Sequence, residues 1–129
     1  MPGFFTQDFF ADYARLLNAD PQMREVTKGI STTILLRCED RGVGFRVTVD
    51  ESVIGAEAAG EGSTAEFSFS APYDEWVRIA RGEAKFQGEV VSGRMKFGGS
   101  MPKMLLYLGK ILRLERKMLA TMQGMDLDF

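Results

Sequence analysis

The sequence predicts a single α+β domain, and three observations carry that prediction. The middle of the chain alternates apolar and polar residues with period two, as half-buried strands do. The two ends instead repeat apolar residues at helical spacing. Between them, Pro72 to Leu112 reads as helix, glycine-punctuated segment, strand and helix. At 129 residues the chain is the size of one domain with its own core, and it has no internal repeat, low-complexity tract or linker.

In chain order, Thr6 or Asp8 can cap a helix to about Leu17, with Phe9, Phe10, Tyr13, Leu16 and Leu17 on one side. The Phe4-Phe5 pair before it must tuck into the body or meet a partner. Asp20-Pro21 restarts a helix, the acid as cap and the proline in the first turn, and Lys28-Gly29 ends it. From Ile30 to Glu39 the period is two. Asp40-Arg41-Gly42 turns the chain, and Val43 to Asp50 completes a β-hairpin. Val53 to Glu61 is a weaker, glycine-rich strand suited to a sheet edge. Glu66 to Ala71 alternates again as a fourth strand. Pro72, Asp74 and Glu75 open a short helix that Gly82 closes. Phe86 to Val91 is either a helical turn or an irregular crossing, its apolar residues core filler or part of a pocket mouth. Gly93 to Ser100 gives a fifth strand, with Met95 and Phe97 on one face and Arg94 and Lys96 on the other.

The composition excludes several functions. With no histidine, Ser–His and Cys–His catalysis are impossible, and one cysteine, Cys38, supplies neither an internal disulfide nor a zinc site. No metal or other cofactor is expected. A net charge of −2 and a pI near 5.2 argue against nucleic acid as a partner. No uncharged run exceeds eight residues, so no membrane span or secretory signal is expected, and Leu127-Asp128-Phe129 is no peroxisomal address. A cytoplasmic protein is the expectation.

The C-terminal helix, predicted as one element after Ser100, is broadly apolar along Met104, Leu105, Leu108, Ile111, Leu112, Met118, Leu119 and Met122. Lys103, Lys110, Arg113, Arg116 and Lys117 fall opposite. Residues 94–118 carry seven basic residues and one acid, a net of +6, whereas residues 1–93 carry nine against fifteen, a net of −6. Such a basic face is either ordinary solvated surface or a match for an anionic membrane surface. Six of the eight methionines lie between Met95 and Met125. Their adaptable side chains suit core filling, a deformable cavity or a homodimer face. Glu115 falls within the apolar stripe, to be paired, protonated or rotated outward.

The run Ser92-Gly93-Arg94-Met95-Lys96-Phe97, with Gly82 before it and Gly99 and the helix from Met101 after it, resembles the sterol carrier protein type 2 family over about residues 8 to 119. Gly98, Ser100 and Pro102, the last interrupting the helix start, depart from the family pattern. The resemblance implies a mostly antiparallel sheet of about five strands covered by helices and enclosing an apolar tunnel. It implies non-catalytic binding and transfer of a hydrophobic small molecule: a sterol, fatty acid or acyl derivative. The expected wall takes Ile34, Leu36, Phe45, Val47, Phe67 and Phe69 from the first four strands. Trp76, Met95, Phe97, Met104, Leu105 and Leu108 complete it. Two alternatives stand beside this reading. One is an accessory protein presenting a lipid-like intermediate, such as a quinone precursor, to partner enzymes. The other is a small enzyme on an apolar substrate, using Glu115 or Asp74-Glu75 as acid–base.

Overall fold

The structure, a computed structural model, describes residues 3–51, 53–60, 62–106, 108–125 and 127; the side chains of residues 86, 105, 106, 108–112, 114, 115 and 118 lie outside that description. Helices α1 (Gln7–Ala19) and α2 (Pro21–Thr27) come first. Thr6 accepts the Phe9 N–H at 3.3 Å to cap α1, and Asp20 accepts the Gln22 N–H at 2.9 Å to cap α2, so both starts follow from local side-chain chemistry. Strands β1 (Ser31–Cys38) and β2 (Val43–Asp50) form the expected hairpin around a 3-10 turn, Glu39–Arg41. Gly42 closes that turn at φ 64°, a left-handed conformation that favours glycine. Then come β3 (Val53–Ala58), β4 (Phe67–Ala71), α3 (Tyr73–Ala80), α4 (Phe86–Ser92) and β5 (Lys96–Gly99). Helices α5 (Met101–Leu106) and α6 (Leu108–Gln123) end the order.

The five strands make one sheet in the order β3-β2-β1-β4-β5. Three of its pairings are antiparallel and one, β1 with β4, is parallel. Register aligns the apolar positions into rows: Leu36 lies between Phe45 and Phe69, with Phe97 beyond, and Ile34 lies between Val47 and Phe67, with Gly99 beyond. Alternation sends Thr33, Arg37, Arg46, Thr48, Ser68, Ser70 and Lys96 to the other face. Helix α1 packs beside β3, and α6 packs against α1, α2 and α3. The exposed edge of β3 is partly closed by Asn18 of α1, whose amide accepts the Ile54 N–H at 2.8 Å and donates to the Ile54 carbonyl at 2.7 Å.

The core begins with the Phe4-Phe5 pair, which tucks inward, 2% and 4% exposed. Phe5 sits at φ 59°, an unusual conformation for a bulky residue, which the ring packing around it sustains. One open reading is resolved and two expectations, the start of the last strand and the effect of Pro102, need correcting. The segment from Phe86 is helix α4, closed by Gly93 at φ 83°, so the last strand loses its first residues and begins at Lys96. After Ser100 the described residues are helical over Met101–Leu106 and Leu108–Gln123, on either side of residue 107, which lies outside the description. Pro102 does not disturb the first of these, because it falls in the first turn, where its missing N–H has no helical partner to lose.

Candidate ligand-binding face

The apolar face of the sheet divides into two halves that differ in cover. Over β2 and β3 the N-terminal aromatics seal it. Phe10 stacks on Phe45 at 4.3 Å, Phe5 meets Phe45 edge-on at 5.8 Å, and Phe5 lies 5.1 Å from Trp76. Val47, Val49 and Ile54 are buried beside them, and Leu36 and Met95 join the same core. Trp76 is fixed by its indole N–H, shared between the Arg37 carbonyl at 2.8 Å and the Ala71 carbonyl at 3.1 Å.

Over β4 and β5 the cover is thinner. Phe97 packs edge-on against Phe69 at 5.4 Å and lies tilted 6.1 Å from Phe67. Phe67 is buried, but Ile34, Phe69, Phe97 and Met104 are only half-buried. Leu119, Met122 and Met125, on α6 and just after it, are half-buried against the core as well. Gly99 lets the chain turn close to β4: at φ 123° a Cβ there would stand 2.5 Å from the Glu66 carbonyl oxygen and 3.0 Å from the Phe67 ring. Leu105 and Leu108, also expected in the wall, have side chains outside the described residues.

The basic residues of the C-terminal helices are not all alike. Arg113 and Arg116 are exposed, while the Lys110 side chain lies outside the described residues. Lys103 reaches Glu66, Nζ to Oε2 at 3.1 Å, and the other Glu66 oxygen accepts the Thr32 hydroxyl at 3.2 Å. Lys117 reaches Asp20 at 3.5 Å and bonds the side-chain oxygen of Gln22. Two lysines of the predicted basic face are therefore tied to acids of the body. No helix among the described residues is long and apolar enough to cross a membrane.

The model of the SCP-2 sterol transfer family matches residues 13–110. The chain belongs to that family. Its fold is similar to a crystal structure of sterol carrier protein 2, with a TM-score of 0.78 and 15% identity over 95% of this chain and 99% of that one. It is similar as well to the solution structure of a conserved hypothetical protein, possibly a sterol carrier protein, from Thermus thermophilus, with a TM-score of 0.76 and 16% identity over 93% and 87% of the two chains. A UbiJ-SCP2 ubiquinone synthesis protein shares the fold at a TM-score of 0.59 and 11% identity, over 95% of this chain and 93% of that one. Sequence comparison with curated proteins gives no match.

One cluster in this SCP-2 chain was not foreseen from its sequence. Glu75 and Glu89 are both 7% exposed and face each other across α3 and α4. Arg78 binds Glu75 at 3.0 Å and lies 3.7 Å from Glu89, while Arg94 lies 3.8 Å from Glu89. Burial, then the hydrogen bond and negative charge of Glu89, raise the Glu75 pKa against the pull of both arginines. The Glu89 carbonyl also accepts the Met95 N–H at 3.0 Å and the Ser92 hydroxyl at 3.1 Å, so this residue pins the chain as it leaves α4 for β5. Glu75 to Arg78 is a legible helical spacing. Glu89 after Gly88 carries no such signal. Asp74 is exposed, and Glu115, the other acid–base candidate, has its side chain outside the described residues. No group of three metal-ligating side chains occurs among the described residues.

Proposed function

We propose that the protein binds a hydrophobic molecule, a sterol, fatty acid or acyl derivative, and transfers it without chemical change. The observation that carries the reading is the uneven cover of the apolar face. Its β2–β3 half is closed by stacked rings, while Ile34, Phe69, Phe97 and Met104 keep part of their surface free beside the C-terminal helices. In this reading the ligand lies against those four and Phe67. Phe45, Val47, Leu36, Trp76 and Met95 support the wall from within the core. Desolvation supplies the affinity, at about 0.8 kcal/mol per buried methylene. The methionines of α5 and α6 supply an adaptable boundary. Membership of a sterol transfer family supports the same ligand class.

Titration with a fluorescent long-chain fatty acid, a sterol probe and short polar metabolites tests this directly. Saturable binding of the apolar probes alone is expected; binding of the polar set alone defeats the proposal. A second reading, presentation of a quinone precursor to partner enzymes, is favoured by the fold shared with the ubiquinone synthesis protein. Recovery of such enzymes with the protein from native cells, together with no transfer between vesicles, would replace free transfer with presentation.

A further inference from the structure

We infer that Glu75 and Glu89 hold one proton between them, and that this shared proton fastens α4 and the corner leading into β5 to α3. The fastening itself is independent of cargo; its consequence for a bound ligand rests on the lipid-binding reading.

Helix α4 is weak on its own. It is seven residues long, starts without a side-chain cap, and contains Gly88 and the β-branched Val90 and Val91. Of its described side chains, Glu89 is buried and Val90 half-buried, whereas Gln87, Val91 and Ser92 are exposed, Val91 at 88%. The side chain that turns most fully inward is therefore an acid, and it meets Glu75, equally buried on α3. The Glu89 carbonyl then holds the chain beyond the helix, accepting the Ser92 hydroxyl and the Met95 N–H.

Two ionised carboxylates in that position would repel each other with few donors to offset the repulsion. Arg78 donates to Glu75 at 3.0 Å. Arg78 and Arg94 stand 3.7 and 3.8 Å from Glu89 Oε2, beyond hydrogen-bond reach, and keep 40% and 61% of their side chains in water. Cations so well solvated offset little of the cost of burying a second charge. Glu89 Oε2 is itself buried and receives no hydrogen bond from an N–H or hydroxyl group among the described residues. A proton on Glu75 is the donor it lacks, and it removes one of the two buried charges. Burial, then Glu89 itself, raises the Glu75 pKa in the direction that keeps the proton there. Other charges on the elements packed against α3 are engaged elsewhere. The 3-10 turn directs Asp40 and Arg41 to Tyr73 and Glu39 to Lys96. On α6, Lys117 is held by Asp20, Arg113 and Arg116 are exposed, and the uncharged Gln123 lies beside Gly82.

The fastening has a direction in pH. The folded protein keeps the Glu75 proton where the unfolded chain has lost it, so the tie is fully present below the ordinary glutamate value and is lost as pH rises through the raised one. Both carboxylates are then charged, and Val90 is the one apolar side chain of α4 described as turning inward. The corner at Met95 becomes the place where the fold opens first. Phe97 follows two residues later in β5, so in the lipid-binding reading the same change loosens one wall of the apolar face.

Carboxyl 13C resonances of Glu75 and Glu89 follow the proton and need no variant. Hydrogen exchange of the Met95 amide, taken relative to its intrinsic rate at each pH, follows the corner. In the native protein both resonances should move together at a pH above the ordinary glutamate range. Met95 protection should fall severalfold over the same interval while the β1–β2 hairpin keeps its own. Glu75→Gln, whose amide can donate to Glu89 at every pH, should hold Met95 protection level. Resonances that titrate separately within the ordinary range overturn the shared proton. Native Met95 protection that is level with pH overturns the fastening, as does a folded Glu75→Gln protein whose protection falls as the native one does. An uncharged sterol probe tests the consequence for a ligand: its Kd should rise severalfold across the interval for the native protein and stay level for Glu75→Gln. Joint titration and Met95 opening without any sterol binding leave the fastening standing and remove the sterol cargo.

Discussion

Truncating one phenylalanine on each half of the apolar face separates packed core from ligand wall. Phe45 is stacked on Phe10 at 4.3 Å and touched edge-on by Phe5, so Phe45→Ala leaves a void that rigid rings cannot close. Such a change costs about 3–5 kcal/mol, a large fraction of the roughly 5–15 kcal/mol that holds a domain together. At roughly 4 °C per kcal/mol, melting should drop by about 12–20 °C. Phe97 is half-buried and touches Phe69 and Phe67 at longer ring distances, so Phe97→Ala should cost about half as much. Its effect should appear in binding. Losing one aromatic contact of about 1.5 kcal/mol raises Kd roughly tenfold. Circular dichroism melts and titration with a fluorescent fatty acid, both well below the lower melting temperature, give the two quantities. The reasoning fails if Phe97→Ala melts as low as Phe45→Ala with native affinity, or if Phe45→Ala alone weakens binding.

Other outcomes follow from named contacts. Because the folded protein holds the Glu75 proton more tightly than the unfolded chain does, stability should fall as pH rises from the ordinary glutamate range through the raised value, and Glu75→Gln should flatten that slope in pH-dependent melts. Asn18→Ala should cost about 1–2 kcal/mol in denaturant unfolding by freeing both polar groups of Ile54, and should increase concentration-dependent association seen by light scattering. Cys38, 1% exposed and with its thiol pushed up to about 11 by burial and by Asp40, should react with iodoacetamide only at the rate of unfolding. Fast labelling of folded protein at neutral pH would contradict that environment.

The parts of the fold that were legible are those written in short-range pattern. Alternation from Ile34 to Cys38 and from Val43 to Val49 fixed which face each residue takes, and the caps at Thr6 and Asp20 marked helix starts. Alternation does not say which strand lies next to which, so the parallel pairing of β1 with β4 emerged only from the structure. Helix α4 was ambiguous because Gly88 and the β-branched Val90 and Val91 oppose a helix that its contact with α3 sustains. The lysine ties to Glu66 and Asp20 span 37 and 97 residues, far beyond any local signal. The division of the wall was illegible for another reason: Phe45 and Phe97 satisfy the same pattern, and only the rings placed above them tell the two apart.

That division bears on how a small domain can leave apolar surface half-covered. Association of the N-terminal rings with Phe45 and Trp76 buries aromatic area over one half of the sheet, and hydrogen bonds anchor Trp76 to β1 and the end of β4. The other half is then free of the demand for tight packing. Its residues need only be apolar and adaptable, which is what Met104, Met122 and Met125 provide. A ligand seated there would remove from water the same kind of surface that folding removes elsewhere, and would stabilise the folded state by mass action. The coupling has a direction. In that reading, changes in the sealed half would act on stability and reach the ligand only through the fraction folded, whereas changes in the open half would act on affinity directly and more weakly on stability.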